Sequence, residues 1–151
     1  MKWADFGHSK QINDSGCASM SGTRGTQNWL APEIIPFFYK EESAACSSIK
    51  SDIFSAGCAF FFFLTKGVHP YGDENENSDN LKNNMLGGVM INQNRLNNGH
   101  RAKSTVLRMM KDRLGLKEVI SEFKKALSTP REPLSGQSAF EICLVGRPNS
   151  Y

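Results

Sequence analysis

The chain has 151 residues with 39% hydrophobic and 22% charged side chains, a balance that describes a soluble, folded domain and names no chemistry. Net charge is +3 and the 18 Lys and Arg residues are scattered, so the clustered basic face of a nucleic-acid binder is not expected. None of the cysteines (Cys17, Cys46, Cys58, Cys143) stands in a C-x-x-C pair, and no His lies at zinc-ligand spacing, which favours reduced thiols in a cytosolic setting.

Residues 1–28 are polar, rich in Ser and Gly and without periodicity, and read as an extended loop. The start, Met1-Lys2-Trp3-Ala4-Asp5-Phe6, has no apolar core of a signal peptide. Trp29 to Phe38 is apolar but broken by Pro32 and Pro36, so only a short helix starting near Pro32 fits. Ser47 to Lys66 is the strongest helix. Ser47, Ser48 or Ser51 can cap it, and Gly67 stands where a C′ glycine belongs.

Within that helix Ala56 to Leu64 is almost wholly apolar. It is far short of the ~20 residues a membrane span needs, so a buried core helix is expected and no membrane segment. Pro70, Tyr71 and Gly72 turn the chain. Residues 73–99 are rich in Asn and read as a loop holding one short helix near Asn80–Leu86. Thr105 to Leu127 carries a helical apolar stripe interrupted at Gly115, giving one kinked helix or two short ones, ended by Pro130 and Pro133. Ala139 to Val145 reads as a short strand or a frayed tail.

Order and spacing of short motifs carry the functional signal. Asp5-Phe6-Gly7 precedes a polar loop. Gly25-Thr26-Gln27-Asn28-Trp29-Leu30-Ala31-Pro32-Glu33 follows. Ser51-Asp52-Ile53-Phe54-Ser55-Ala56-Gly57 opens the apolar helix, and Gly67-Val68-His69-Pro70-Tyr71-Gly72 closes it. Together these segments resemble the C-terminal lobe of a eukaryotic protein kinase. The resemblance implies a mainly α fold: a truncated kinase C-lobe, from a parent domain of α+β class with two lobes. It covers residues 1–100 as a partial kinase domain and leaves 101–151 as an unplaced, partly helical tail.

The roles it implies follow from phosphoryl transfer, which asks the protein for positioning and charge neutralisation. Asp5 would hold Mg²⁺ against ATP as a hard oxygen ligand, Phe6 would pack as a switch residue, and Gly7 would let the segment move. His8 to Leu30 would be the activation loop, with Ser9, Ser15, Ser19, Ser21 and Thr23 as phosphate acceptors and Ser21 the foremost. Thr26 fits a Ser/Thr kinase, its hydroxyl bonding the catalytic Asp and Lys.

Ala31, Pro32, Glu33, Asp52 and Gly57 would be structural. Asp52 would accept backbone N–H groups of the catalytic loop, or simply favour the dipole of its helix. Glu33 would form a buried ion pair with an Arg. Arg101, Arg108 and Arg113 are the candidates, and Arg113-Leu114-Gly115 resembles the family's Arg segment no more than chance allows. His69 reads as a structural or surface residue of its turn, neither metal ligand nor base.

Trp29 in the first segment, the Ser55-Ala56-Gly57-Cys58 run, and Asn84-Met85-Leu86-Gly87 are similar to the inositol-requiring-enzyme type of unfolded-protein-response sensor kinase/endoribonuclease. That resemblance implies a cytosolic domain of a protein anchored in the endoplasmic reticulum membrane, with ATP and a protein substrate as partners, kinase–kinase dimerisation, and no direct nucleic-acid binding by this segment. The Gly-rich loop, the ATP-binding Lys, its Glu partner and the catalytic-loop Asp would all precede Met1, so the chain alone is expected to be inactive. The other expectations are a non-catalytic, pseudokinase-like interaction module and a non-functional gene-model fragment. Apolar residues of the central helix would then face water and drive association.

Overall fold

The computed structural model describes residues 9–20, 26–40, 44–72 and 78–128. The expected strand or tail at 139–145 lies outside them. Among the described residues the fold is mainly helical, as expected. A two-stranded ribbon (β1, Ala18–Ser19; β2, Cys46–Ser47) comes with five helices: α1 (Ile35–Phe38), α2 (Ile49–Leu64), α3 (Ser78–Leu86), α4 (Lys103–Lys111) and α5 (Leu116–Ser128).

The loop expected over the first 28 residues holds more order than its composition suggests. Asn13 accepts from Gly16 N–H and, through its side chain, from Cys17 N–H, closing a turn. β1 leaves that turn and pairs antiparallel with β2, Ala18 opposite Ser47 and Ser19 opposite Cys46. The ribbon also joins Cys17 to Cys46 as a disulfide. The expectation of reduced thiols throughout is therefore corrected; composition could not anticipate that two cysteines 29 positions apart meet across a ribbon.

Ser48 starts α2. Its hydroxyl accepts from Ser51 N–H at 3.3 Å, and Ser51 Oγ accepts from Ser48 N–H at 3.2 Å, a reciprocal box with Ser in place of the usual Glu. Asp52 in the first turn favours the dipole. The end of α2 corrects the expected role of Gly67. Thr65 is the C-cap, and Lys66 takes the left-handed position (φ 59°). Gly67 N–H returns to Phe62 O at 2.9 Å and Lys66 N–H to Phe63 O at 3.3 Å. This is a Schellman ending with lysine, not glycine, at C′. The helix expected near Pro32 begins three residues later, because Pro32 to Ile34 form turns and Pro36 fits only in a first turn.

α2 is the axis of the core and packs most extensively on α4. Phe54, Cys58 and Phe61 point into a cluster with Ile34, Ile35, Tyr71, Met85, Val106 and Met110. Gly57 marks the crossing: a Cβ there would stand 2.8 Å from Met110 Cγ and 3.1 Å from Met109 Cβ, so only glycine allows α4 this close. The stripe at 105–127 resolves into two helices, and Leu114 and Val119 join Ile53 and Met109 in a second cluster. Phe60 meets Phe123 edge-on at 5.5 Å. The polar side of α5 is tied to α4 by Arg108, which reaches Asp112, Glu118 and Glu122. Apolar side chains do face water, Phe63 of α2 among them at 65% exposure.

Candidate functional site: the segment of residues 26–33

The segment Thr26-Gln27-Asn28-Trp29-Leu30-Ala31-Pro32-Glu33 has little regular structure of its own, one short 3-10 turn over Gln27–Trp29. Its position comes from side chains of α2 and of the turn that follows α2. Ser55 Oγ donates to Trp29 O at 2.7 Å. His69 Nε2 lies 2.9 Å from Asn28 O. Tyr71 N–H points at His69 Nδ1 at 3.3 Å, so Nδ1 accepts and Nε2 carries the proton donated to Asn28. The indole of Trp29 meets Phe62 and His69 edge-on at 5.3 and 5.2 Å.

Two successive carbonyls are thus held by side chains from the middle of α2 and from the turn that follows it. Burial lowers the pKa of His69 to about 4, with the Asn28 carbonyl opposing the shift, so the ring is neutral at ordinary pH. Of the two sequence readings of His69, a structural or a surface residue of the turn, burial selects the structural one, and nothing in the sequence pointed to Asn28 as its partner.

The far end of the segment is held by an ion pair. Arg113 donates from both terminal nitrogens to Glu33, at 3.2 Å to Oε1 and 2.5 Å to Oε2. Ser51 Oγ donates to Glu33 Oε1 at 2.7 Å. Partial burial pulls the Glu33 carboxyl upward, but hydrogen bonds from Arg113 and Ser51 outweigh it and leave the pKa below its usual value. Of the three Arg candidates the structure selects Arg113 and overturns the reading of Arg113-Leu114-Gly115 as chance. Arg108 is engaged by α5, and Arg101 donates to Ala126 O. Arg113 itself adopts a left-handed backbone (φ 54°) just past α4, and its guanidinium also covers the Phe54 ring at 4.6 Å. The pair is less buried than expected, with side chains 20% and 40% exposed for Arg113 and Glu33.

Of the remaining site residues, Asp5, Phe6, Gly7, Ser21 and Thr23 lie outside the described residues. Ser19 is exposed on β1, and Thr26 is exposed at the entry to the 3-10 turn, making no cap bond with its side chain. Ala31 is buried in the core and Pro32 is half-buried. Asp52 has an exposed residue surface, yet crowding around its carboxyl raises its pKa. Among the described residues no three His, Cys, Asp or Glu side chains gather as a metal site. No helix among them is long and apolar enough to cross a membrane.

The protein kinase domain family matches residues 1–126. Among known proteins, the chain is 38% identical over 72 residues to the human serine/threonine-protein kinase/endoribonuclease IRE2, covering 46% of this chain and 7% of that protein. It is 36% identical over 84 residues to the Caenorhabditis elegans serine/threonine-protein kinase/endoribonuclease ire-1, covering 53% and 8%. It is 32% identical over 93 residues to the Schizosaccharomyces pombe sensor for unfolded proteins in the ER, ire1, covering 52% and 9%. The matched region thus spans less than a tenth of each of these relatives.

Proposed function

Because this chain belongs to the protein kinase family, we propose that it is the C-lobe portion of a Ser/Thr kinase that moves a phosphoryl group from Mg²⁺-ATP to a protein hydroxyl. The kinase is of the endoplasmic-reticulum stress-sensor type, with this segment on the cytosolic side of the membrane. The observation that carries the reading is the hold on residues 26–33: Ser55, His69, Ser51 and Arg113 fix three groups of one segment. A transfer reaction needs a rigid platform where the acceptor chain lies, since positioning supplies most of its rate.

Asp5 is the residue assigned to Mg²⁺ in this reading. When bound, the metal neutralises charge on the transferring phosphate. Ser19, Ser21 and Thr23 belong to the regulatory loop, and Thr26 faces the catalytic groups supplied by the family's preceding segments. The kinase-like unit runs on through α4 and α5, since Arg113 and Val119 belong to its packing.

Thermal melting of the native protein containing this chain tests the reading. Mg²⁺-ATP raises its melting temperature, and Asp5→Ala removes the rise without moving the unliganded melt. The isolated 151-residue chain gives no rise. A native protein whose melt ignores Mg²⁺-ATP would leave the non-catalytic, pseudokinase-like module as the surviving reading.

A further inference from the structure

The ribbon places two sulfurs where a small reagent reaches them. Cys17 ends the turn begun at Asn13, Cys46 opens β2, and their Cα atoms stand 5.4 Å apart, inside the range a disulfide needs. Cys46 is exposed and Cys17 half-buried. Cys58 is the contrast: it is 0% exposed within the core. Burial pushes its thiol upward, so it does not exchange.

The described noncovalent ties of this region to the rest of the fold include a short ladder and the packing of Met20 against the core. β1 and β2 are two residues each, and a ribbon that short does not hold by itself. Beside the ladder, Met20 N–H donates to Ala45 O at 3.3 Å, and Ala18 is buried. The hydrogen bonds of Asn13 with Gly16 and Cys17, and of Lys10 with Ser19 O, stay within residues 9–20. A covalent link from Cys17 to Cys46 adds to these ties.

We propose that Cys17 and Cys46 form a reversible thiol–disulfide exchange site for low-molecular-weight thiols of the glutathione class, and that the oxidised pair fastens residues 9–20 to the entry of α2. In the reducing direction a glutathione thiolate attacks Cys46 Sγ, the more open sulfur. The Cys17–Cys46 bond breaks, and Cys17 leaves as thiolate and takes a proton. A second glutathione displaces Cys46 from the mixed disulfide, so two thiols are oxidised to glutathione disulfide while two protein thiols form. The reverse consumes glutathione disulfide and returns both glutathione thiols. The exchange stands apart from the phosphotransfer reading; only its consequence for a regulatory loop rests on it.

The test equilibrates the full chain across ratios of reduced to oxidised glutathione, quenches with acid and blocks free thiols with N-ethylmaleimide. Peptide mass spectrometry reads the link, and limited trypsin cleavage after Lys10 reads the fastening. The expected result is a Cys17–Cys46 peptide within the monomer at oxidising ratios, both sulfurs alkylated at reducing ratios, and cleavage several-fold slower in the oxidised chain. In Cys46→Ser, cleavage no longer depends on the ratio. Should that variant misfold, native chain reduced and capped with iodoacetamide serves in its place.

Two free thiols across the whole series, or a link made only between Cys143 and another cysteine, would overturn the site. A link that forms without changing cleavage would overturn the fastening. Loss of Mg²⁺-ATP binding in the native protein with the link intact would fault the kinase reading and leave this one standing.

Discussion

Arg113 and Glu33 are 80 positions apart and meet through two hydrogen bonds, so the turn after α4 and the segment before α1 form one structural unit. Arg113 also donates to Lys50 O at 3.0 Å, which brings the first turn of α2 into the same node. The pair is partly solvated, so its contribution lies between that of an exposed pair and a buried one. Arg113→Met is expected to cost about 1–3 kcal/mol in urea unfolding. Glu33→Gln costs less, because Ser51 can still donate to the amide oxygen. The double variant is expected to lose less than the sum of the singles, giving a coupling of about 1 kcal/mol or more.

Gly57→Ala probes the α2–α4 crossing. The added methyl meets Met110 Cγ and Met109 Cβ closer than ordinary contact, and neither atom is the free end of a side chain. Helix propensity favours alanine by about 1 kcal/mol, but overpacking costs about 1–3 kcal/mol. The net change is destabilising and appears as a melting temperature several degrees lower. In a Met110→Ala background the further loss from Gly57→Ala is smaller if the clash is the cause.

Acid stability follows from His69. Its folded pKa of about 4 lies below the unfolded value of 6.5, so the unfolded chain binds the proton first. This contribution is complete above the unfolded pKa, falls as pH drops from 6.5 toward 4, and is flat below that. It amounts to at most about 3 kcal/mol. Glu33, with its pKa lowered, adds a further loss only as pH falls through and below its usual 4.5, and Asp52, raised, opposes that loss. In His69→Gln, denaturant midpoints measured across pH 4 to 7 lose the upper part of the slope.

Phe63 is the most exposed large apolar residue of α2, at 65%. Phe63→Gln is expected to leave the melting temperature nearly unchanged and to reduce concentration-dependent association in sedimentation velocity. A large loss of stability would mean that the ring packs in the folded state.

Much of this arrangement was legible in the sequence where the signal is local. A serine cap among Ser47, Ser48 and Ser51, the apolar run of α2, the break at Gly115 and the motif order from Asp5 to Gly72 each depend on a few neighbouring residues. What escaped depends on distance. Arg113 could not be chosen over Arg101 and Arg108, because its left-handed turn and the path of α4 aim the guanidinium, and a side chain's type carries neither. The same holds for Ser55 and His69, whose partners are backbone carbonyls of Trp29 and Asn28 and leave no residue-type signature. Cys17 and Cys46 meet only because a ribbon forms inside what composition marks as loop. Lys66 at the left-handed end of α2 was masked by the neighbouring Gly67, which fits the rule for that position better.

The most direct measurement is transfer of labelled γ-phosphate by the native protein to a protein acceptor, followed by phosphoamino-acid analysis. Label is expected on serine and threonine, abolished in Asp5→Ala. Arg113→Met and His69→Gln weaken it mainly through a higher KM for the protein acceptor, since they loosen the segment of residues 26–33. Label absent from the native protein, or unchanged in Asp5→Ala, would contradict the kinase reading.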